Sequence, residues 1–169
     1  PNPKAMAALA DQHDLIICVD CGTLAHEALE AARAADVVVL DHHLGAETLP
    51  EARAVVNPNR QDETGDLAHL CAAAVVFMVL TQVARMMRTQ GQTPPNLINT
   101  LDLVALATVA DVAPLVGVNR AFVRQGLKVM SQRKRVGLNA LSDVAGLNAA
   151  PSAYHLGYVL GPRINAGGR

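Results

Sequence analysis

The chain has 169 residues, of which 51% are hydrophobic and 17% charged, so it can bury a core and is not a disordered sequence. The formal net charge of −1 excludes a strongly basic or acidic protein, and contact with nucleic acid would need a local basic patch. No uninterrupted apolar run approaches the roughly 20 residues of a membrane span. Three cysteines without a secretory signal indicate free thiols, so we expect a cytoplasmic protein without a membrane partner.

The first sixty residues have the pattern of a parallel α/β sheet. Apolar runs at Asp14–Asp20 and Asp36–Asp41 predict two buried parallel strands, and Ala52–Pro58 predicts a third, shorter strand. The helical spacing of Thr23–Ala35, with Thr23 as the N-cap, places a helix between the first two strands. A strand, a helix and a strand within about 30 residues have the size of a βαβ unit.

The chain from residue 66 onward is helical in pattern. Long apolar helices are predicted over Asp66–Gln90 and Asn96–Leu115, and two amphipathic helices follow in NRAFVRQGLKVMSQ and GLNALSDVAGL. The longest apolar run, Leu70–Leu80, is too short to cross a bilayer. The predicted fold class is therefore α/β, with a parallel sheet flanked by helices over residues 1–60 and a helical region over residues 66–169.

Acidic and imidazole side chains follow the first two predicted strands. Asp20 ends the first strand, and Asp41, His42 and His43 end the second. Neighbouring strands lie about 4.8 Å apart, and the carboxyl ends of parallel strands border the ligand crevice, so these groups can converge. Carboxylates with an imidazole suit Mn²⁺, Mg²⁺ or Zn²⁺, and the mixed set leans toward Mn²⁺. The spacing alone leaves open that Asp20 caps a turn and that the histidines are ordinary surface residues.

Three other segments carry reactive groups. Asp111 lies in an apolar helical stretch, and the pattern slightly favours a solvent-facing position over a cation-binding one. Cys18 and Cys21 have CxxC spacing, but Cys18 lies inside a predicted strand, so we interpret the pair as core thiols. The segment GPRINAGGR (Gly161–Arg169) combines glycines that admit an anion to the backbone with arginines that bind phosphate; a flexible linker is the alternative.

Five segments in this order resemble the motifs of the DHH phosphoesterase superfamily: VDCGTLAHE, VVVLDHHLG, AVVNPNR, ATVADVAPLVGVNR and GPRINAGGR. The last of them is most similar to the branch of single-strand-specific 5′→3′ DNA exonucleases that serve DNA repair and recombination. The resemblance covers nearly the whole chain. It implies a parallel sheet, a Mn²⁺- or Mg²⁺-dependent two-metal centre, and hydrolysis of phosphodiester bonds in single-stranded DNA.

The resemblance also implies a role for each motif residue. Asp20 matches the aspartate that bridges the two metals, and His42 and Asp111 match further metal ligands. His43 would lie beside the scissile phosphate. Asp41 would orient the histidines without binding metal itself.

The ends of the motif set are less complete. Arg163 would contact the substrate phosphate, and Asn165 would help to shape the loop around it. The Asp-x-Asp motif of the superfamily is not among these 169 residues and would precede Pro1, while its nucleic-acid-binding domains would follow Arg169. We therefore expect the chain alone to be nearly inert. Ala74 stands where the superfamily has Gly, which would loosen a close helix contact.

Two other functions remain open from the sequence. One is a small-substrate hydrolase of the same superfamily that acts on oligoribonucleotides, bisphosphonucleotides or pyrophosphate, although GPRINAGGR disfavours it. The other is a catalytically silent nucleotide- or partner-binding module. With two Tyr and two Phe there is no aromatic platform for stacking bases, so strand choice and polarity rest on the resemblance.

Overall fold

A three-stranded parallel sheet forms the first part of the computed structural model, which describes residues 1–167. Its strands are β1 (Leu15–Val19), β2 (Asp36–Leu40) and β3 (Ala54–Val56), in that order. Aliphatic side chains, most of them β-branched, fill all three because they pack well on a pleated surface. The predicted fold class is confirmed, and each observed strand is shorter than the predicted one.

Two short helices, α1 (Pro3–Ala10) and α2 (His26–Glu30), pack on one face of this sheet. The core of this first unit, Pro1–Val76, takes side chains from both helices and all three strands, among them Met6, Leu29, Ile16, Val39 and Val55. The other face of β1 is open, because about half of each outward side chain is exposed at Leu15, Ile17 and Val19. The prediction of a buried strand therefore holds for only one face of β1, the face of Ile16 and Cys18.

The connection between β1 and β2 also differs from the prediction. Helix α2 has five residues, and no side chain caps its N-terminus. The Thr23 side chain is buried instead, and its hydroxyl accepts a hydrogen bond from Asn57 Nδ2 (2.8 Å). Gly22 has φ of 119°, and a Cβ there would lie 3.0 Å from the Val39 methyl groups. The prediction that Thr23 caps a helix is wrong, because its hydroxyl accepts a hydrogen bond from the distant Asn57 instead.

The second unit, from Phe77 onward, is helical. Helix α3 (Ala72–Thr89) begins in the first unit, and a 3₁₀ turn (Leu97–Thr100) follows it. The later helical elements are, in chain order, α4 (Leu101–Ala110), α5 (Gly117–Met130), α6 (Val136–Val144), α7 (Ala153–His155), a π-helical segment (Leu156–Leu160) and α8 (Gly161–Gly167). The two predicted amphipathic helices correspond to α5 and α6. Helix α3 begins later than predicted, and α4 ends before Asp111 rather than at Pro114.

Helices α4 and α5 form the closest helix pair of the second unit. A Cβ at Gly126 of α5 would collide with the Leu101 carbonyl oxygen of α4, so only glycine permits this approach. The buried charge of Asp102 on α4 is matched by Arg135, whose Nε lies 2.7 Å from Asp102 Oδ2. The apolar side chains around this pair come from four elements and include Leu106, Val123, Leu138, Leu156 and Leu160.

Helix α3 has, within residues 1–167, the length and composition of a membrane span. It has 18 residues with a mean hydropathy of 1.2, and 22% of it is buried. Helices in the cores of soluble proteins can have the same length and hydropathy, so these two properties alone do not identify a membrane span. Ala74, where the resemblance led us to expect glycine, is fully buried in the first turn of this helix.

Candidate metal centre

The parallel register brings the ends of the three strands into line. Leu40, the last residue of β2, pairs with the last residues of both β1 and β3. The next residue of each strand is polar, so Asp20, Asp41 and Asn57 form a row at the carboxyl edge of the sheet. The Asp20 N–H donates to the Leu40 carbonyl (3.0 Å), and the Asp41 N–H donates to the Val56 carbonyl (3.1 Å). Sheet hydrogen bonding therefore sets the spacing of these side chains.

Asp41 is the buried centre of this edge, with 2% of its side chain exposed. Its Oδ2 accepts the Thr23 N–H (3.0 Å), and its Oδ1 accepts the His42 N–H (2.8 Å) and the His43 ring Nδ1–H (2.7 Å). Burial would raise the pKa of this carboxyl, but hydrogen bonds from His43, Thr23 and His42 outweigh burial and hold the pKa well below its usual value. Asp41 is therefore ionised, and it orients the His43 ring.

Three side chains of the described part of the chain could hold a metal ion together. One ligand atom each from Asp20, His42 and His43 lies within 4.8 Å of the others. His42 Nε2 is 3.1 Å from Asp20 Oδ1, and Asp20 is 63% exposed whereas His42 is 17% exposed. A carboxylate oxygen beside imidazole nitrogens suits Mn²⁺, so these residues fit the implied metal. The cluster also brings His43 within reach of the ion, whereas the sequence suggested only the phosphate for it.

Two of the three described non-glycine residues with positive φ angles lie at or directly after an aspartate predicted to bind metal; the third is Arg133. Asp20 has φ of 62°, and Val112, with φ of 57°, directly follows Asp111. Such backbone costs roughly 1–3 kcal/mol per residue and clusters at functional sites, and it is least expected for a β-branched residue. Asp111 is exposed at the C-cap of α4, where the helix dipole disfavours a negative charge. Neither the positive φ angles nor a negative charge at the C-terminus of a helix stabilises the fold by itself. The role of Asp111 as a metal ligand stays a prediction.

Two asparagines of the NPN segment hold the Asp-His-His loop in place. Asn57 Nδ2 donates to Thr23 Oγ1 and to the His43 carbonyl, both at 2.8 Å, and Asn59 Nδ2 donates to the His42 carbonyl (2.7 Å). The sequence pattern predicted no role for these asparagines beyond the end of the third strand, and the motif AVVNPNR assigned them none. The available signal was the place of NPN after a third parallel strand, equivalent to the places of the two aspartates.

Residues 161–167 form helix α8 and not the loop that GPRINAGGR was expected to make; Gly168 and Arg169 lie outside the described residues. Arg163 is exposed on this helix, and its Nη1 donates to the Val159 carbonyl (2.8 Å). Asn165 is also exposed on this helix, and its place beside the substrate phosphate stays a prediction. The contact of Arg163 with substrate phosphate stays a prediction.

Helix α8 begins with a glycine, Gly161, because there is little space for a side chain at this position. A Cβ at this position would lie 2.7 Å from the Leu156 carbonyl oxygen and 3.0 Å from Ala110 Cβ. Ala110 is the last residue of α4, and Asp111 follows it. The glycine therefore lets the helix that carries Arg163 approach the end of the helix that precedes Asp111. A π-helical segment before α8 fits this interpretation, because such segments are frequent at functional sites.

We expect Gly161→Ala to lower the phosphodiester-hydrolysing activity that the superfamily resemblance implies by about 100-fold while the protein stays folded, because α8 must move away from α4 and misplacement by about 1 Å has such an effect. Steady-state rates on single-stranded DNA and a circular dichroism melt measure the two quantities. Gly137→Ala is the matched control, since Gly137 lies in α6 and a Cβ there meets nothing within 4 Å. Equal rates for both variants would contradict this role of Gly161.

The two cysteines of the CxxC spacing carry free thiols. Cys18 is buried in β1, and burial raises the pKa of its thiol. Cys21 is half-buried. A raised pKa makes Cys18 a poor nucleophile, which confirms the interpretation of Cys18 as a core thiol.

Comparison with known proteins agrees with the geometry of this edge. The model of the "DHH family, N-terminal domain" matches residues 1–108. The chain is 41% identical, over 99% of its length, to the single-stranded-DNA-specific exonuclease RecJ of Dickeya dadantii, and 41% identical, over 92% of its length, to that of Escherichia coli. The crystal structure of RecJ in complex with Mn²⁺ from Thermus thermophilus superposes with a TM-score of 0.80 at 30% identity, over 99% of this chain.

These relatives are much longer than the chain. It spans 31% of the Dickeya dadantii protein, 29% of the Escherichia coli protein and 24% of the Thermus thermophilus chain in the crystal structure. The family model covers Asp20, Asp41, His42 and His43 and ends before Asp111, whereas the similarity to RecJ extends over nearly the whole chain.

Proposed function

The chain belongs to the DHH family, and from this we propose that it forms part of the catalytic centre of a Mn²⁺- or Mg²⁺-dependent exonuclease that degrades single-stranded DNA from the 5′ end. The observation that carries the proposal is the cluster of Asp20, His42 and His43 at the carboxyl edge of the sheet. The similarity to single-stranded-DNA-specific exonucleases supports the substrate, and the polarity rests on the superfamily resemblance.

The residues around the cluster divide the work of binding and orientation. Asp20, His42 and Asp111 would hold the metal, which supplies an activated water and offsets charge on the phosphoryl oxygens when bound. Ionised Asp41 keeps the proton of His43 on Nδ1, so in the neutral ring Nε2 carries the lone pair that could bind a cation. Arg163, whose planar guanidinium suits a phosphate, would bind a phosphate oxygen of the substrate.

We further propose that the protein acts in the cytoplasm, in DNA repair and recombination. Its three free thiols accord with a reducing compartment. The product of the complete reading frame that contains this chain is the protein to test.

The decisive experiment compares 5′-labelled and 3′-labelled single strands, a blunt duplex, a nucleoside 3′,5′-bisphosphate, a diribonucleotide and inorganic pyrophosphate, each with and without Mn²⁺. We expect Mn²⁺-dependent release of mononucleotides from the 5′ end of the single strands. Faster hydrolysis of one of the small substrates would favour a small-substrate phosphoesterase instead. Hydrolysis of none of them would favour a silent binding module.

A further inference from the structure

The charges of the chain are divided unevenly between the two units. Residues 1–76 contain 12 Asp and Glu against 4 Lys and Arg, whereas residues 77–169 contain 3 against 10. The net charge of −1 therefore conceals a formal charge of −8 in one unit and +7 in the other. A polyanion such as DNA is repelled by the unit that carries the metal cluster unless another surface attracts it.

The attraction is concentrated on helix α5. Arg120, Arg124 and Lys128 recur at every fourth residue and are all exposed, and we call them the α5 cationic stripe. The opposite side of the helix is buried, since Phe122 and Gly126 face the core. Successive charges are about 6 Å apart along the helix axis, comparable to neighbouring phosphates of an extended single strand.

The stripe lacks acidic partners within residues 1–167. Helix α5 contains no acidic residue, and two of the cations that follow it are paired elsewhere, Arg133 with Asp143 and Arg135 with Asp102. The three side chains of the stripe form no ion pair with a carboxylate of the described residues. Like charges at a spacing of four residues destabilise a helix slightly, so the arrangement does not serve helix stability.

The stripe begins beside the loop that follows Asp111. The Arg120 Nε–H donates to the Leu115 carbonyl (3.2 Å), and the buried Asn119 donates from Nδ2 to the Pro114 carbonyl (3.0 Å). These two hydrogen bonds therefore hold the first turn of α5 against the segment that follows Asp111, the proposed metal ligand. A strand bound along α5 would run toward that segment.

We propose that the α5 cationic stripe binds the phosphates of the single-stranded DNA substrate, an inference that rests on the proposed function. Binding is independent of base sequence, because no aromatic side chain of α5 is exposed for stacking and Lys and Arg reach the phosphates. The stripe thus supplies the affinity for DNA that the acidic unit lacks.

The test is the salt dependence of binding to oligo-deoxythymidylate, measured by fluorescence anisotropy without divalent metal so that no strand is cut. The triple variant Arg120→Gln, Arg124→Gln and Lys128→Gln is expected to bind roughly 10- to 100-fold more weakly at 0.1 M salt. The slope of log K against log salt should fall by about 2, because three phosphate contacts on a single strand are lost. Glutamine preserves helix propensity, so folding is retained.

A second triple variant removes the same net charge from the first unit: Lys4→Gln, Arg33→Gln and Arg53→Gln. It should leave the slope unchanged, and an equal loss in both variants would overturn the proposal. If the stripe variant loses affinity for polyglutamate but keeps its affinity for DNA, the DNA-binding proposal is wrong and the stripe binds an acidic protein instead. The protein could lack nuclease activity while the stripe variant still shows a lower affinity for DNA and a smaller slope of log K against log salt. In that case the proposed function is wrong, but the proposal that the stripe binds DNA is supported.

Discussion

Asp20→Asn is expected to abolish Mn²⁺-dependent nuclease activity, with a loss greater than the roughly 10- to 100-fold that removal of an outer-sphere partner causes. Asp20 supplies the most exposed ligand atom of the cluster, 3.1 Å from His42 Nε2, and the superfamily resemblance assigns it to both metals. Asparagine keeps the size of the side chain and tolerates the left-handed backbone at this position (φ 62°), so the fold should survive. The amide removes the negative charge that holds the cation.

Calorimetric titration with Mn²⁺ and a rate measurement on 5′-labelled single strands test this expectation together. Asp14→Asn is the matched control, because Asp14 precedes the same strand at its opposite end and is exposed. The control should retain both metal binding and activity. An Asp20→Asn protein that binds Mn²⁺ with unchanged affinity and cleaves at the normal rate would refute the metal assignment.

Asp41→Asn is expected to lower the free energy of unfolding at pH 7 by about 1–3 kcal/mol and to lower activity about 10- to 100-fold. An amide nitrogen in place of Oδ2 faces the buried Thr23 N–H, and two donors cannot pair. The amide oxygen is also a weaker acceptor for the His43 ring than the carboxylate, so the ring loses its fixed orientation. Denaturant unfolding and single-strand cleavage measure the two effects.

The same variant should change how stability depends on pH. Because the pKa of Asp41 is lower in the folded than in the unfolded chain, its contribution is fully present above the unfolded value of about 3.9 and is lost as the pH falls toward the folded value. The wild-type protein should therefore lose more stability than Asp41→Asn when the pH is lowered from 6 to about 3. Asp14→Asn, which removes an exposed carboxylate that forms no ion pair within residues 1–167, should behave like the wild type. Parallel pH curves for wild type and Asp41→Asn would contradict the role of Asp41.

The strands and most helices could be predicted because local pattern decides them. Apolar runs with β-branched residues became β1, β2 and β3, and the 3.6-residue spacing became α5 and α6. The predictions that were wrong concern residues whose partners lie far along the chain. Thr23 had the chemistry of a helix cap, but Asn57, 34 residues later, took its hydroxyl. GPRINAGGR had the composition of an anion-binding loop, but Gly161 was needed for contact with α4.

The sequence by itself determined the candidates for the chemistry, since Asp20 and the Asp-His-His run follow predicted strands and the motif resemblance adds Asp111, whose role stays a prediction. It also determined that strand ends would present the first two groups, because polar residues follow apolar runs. Only the tertiary structure decided how these groups differ. The parallel register aligned Asp20, Asp41 and Asn57 at one edge, and burial with several donors made Asp41 the ionised centre that orients its neighbours. Such differences depend on hydrogen bonds between distant segments, which no local pattern encodes.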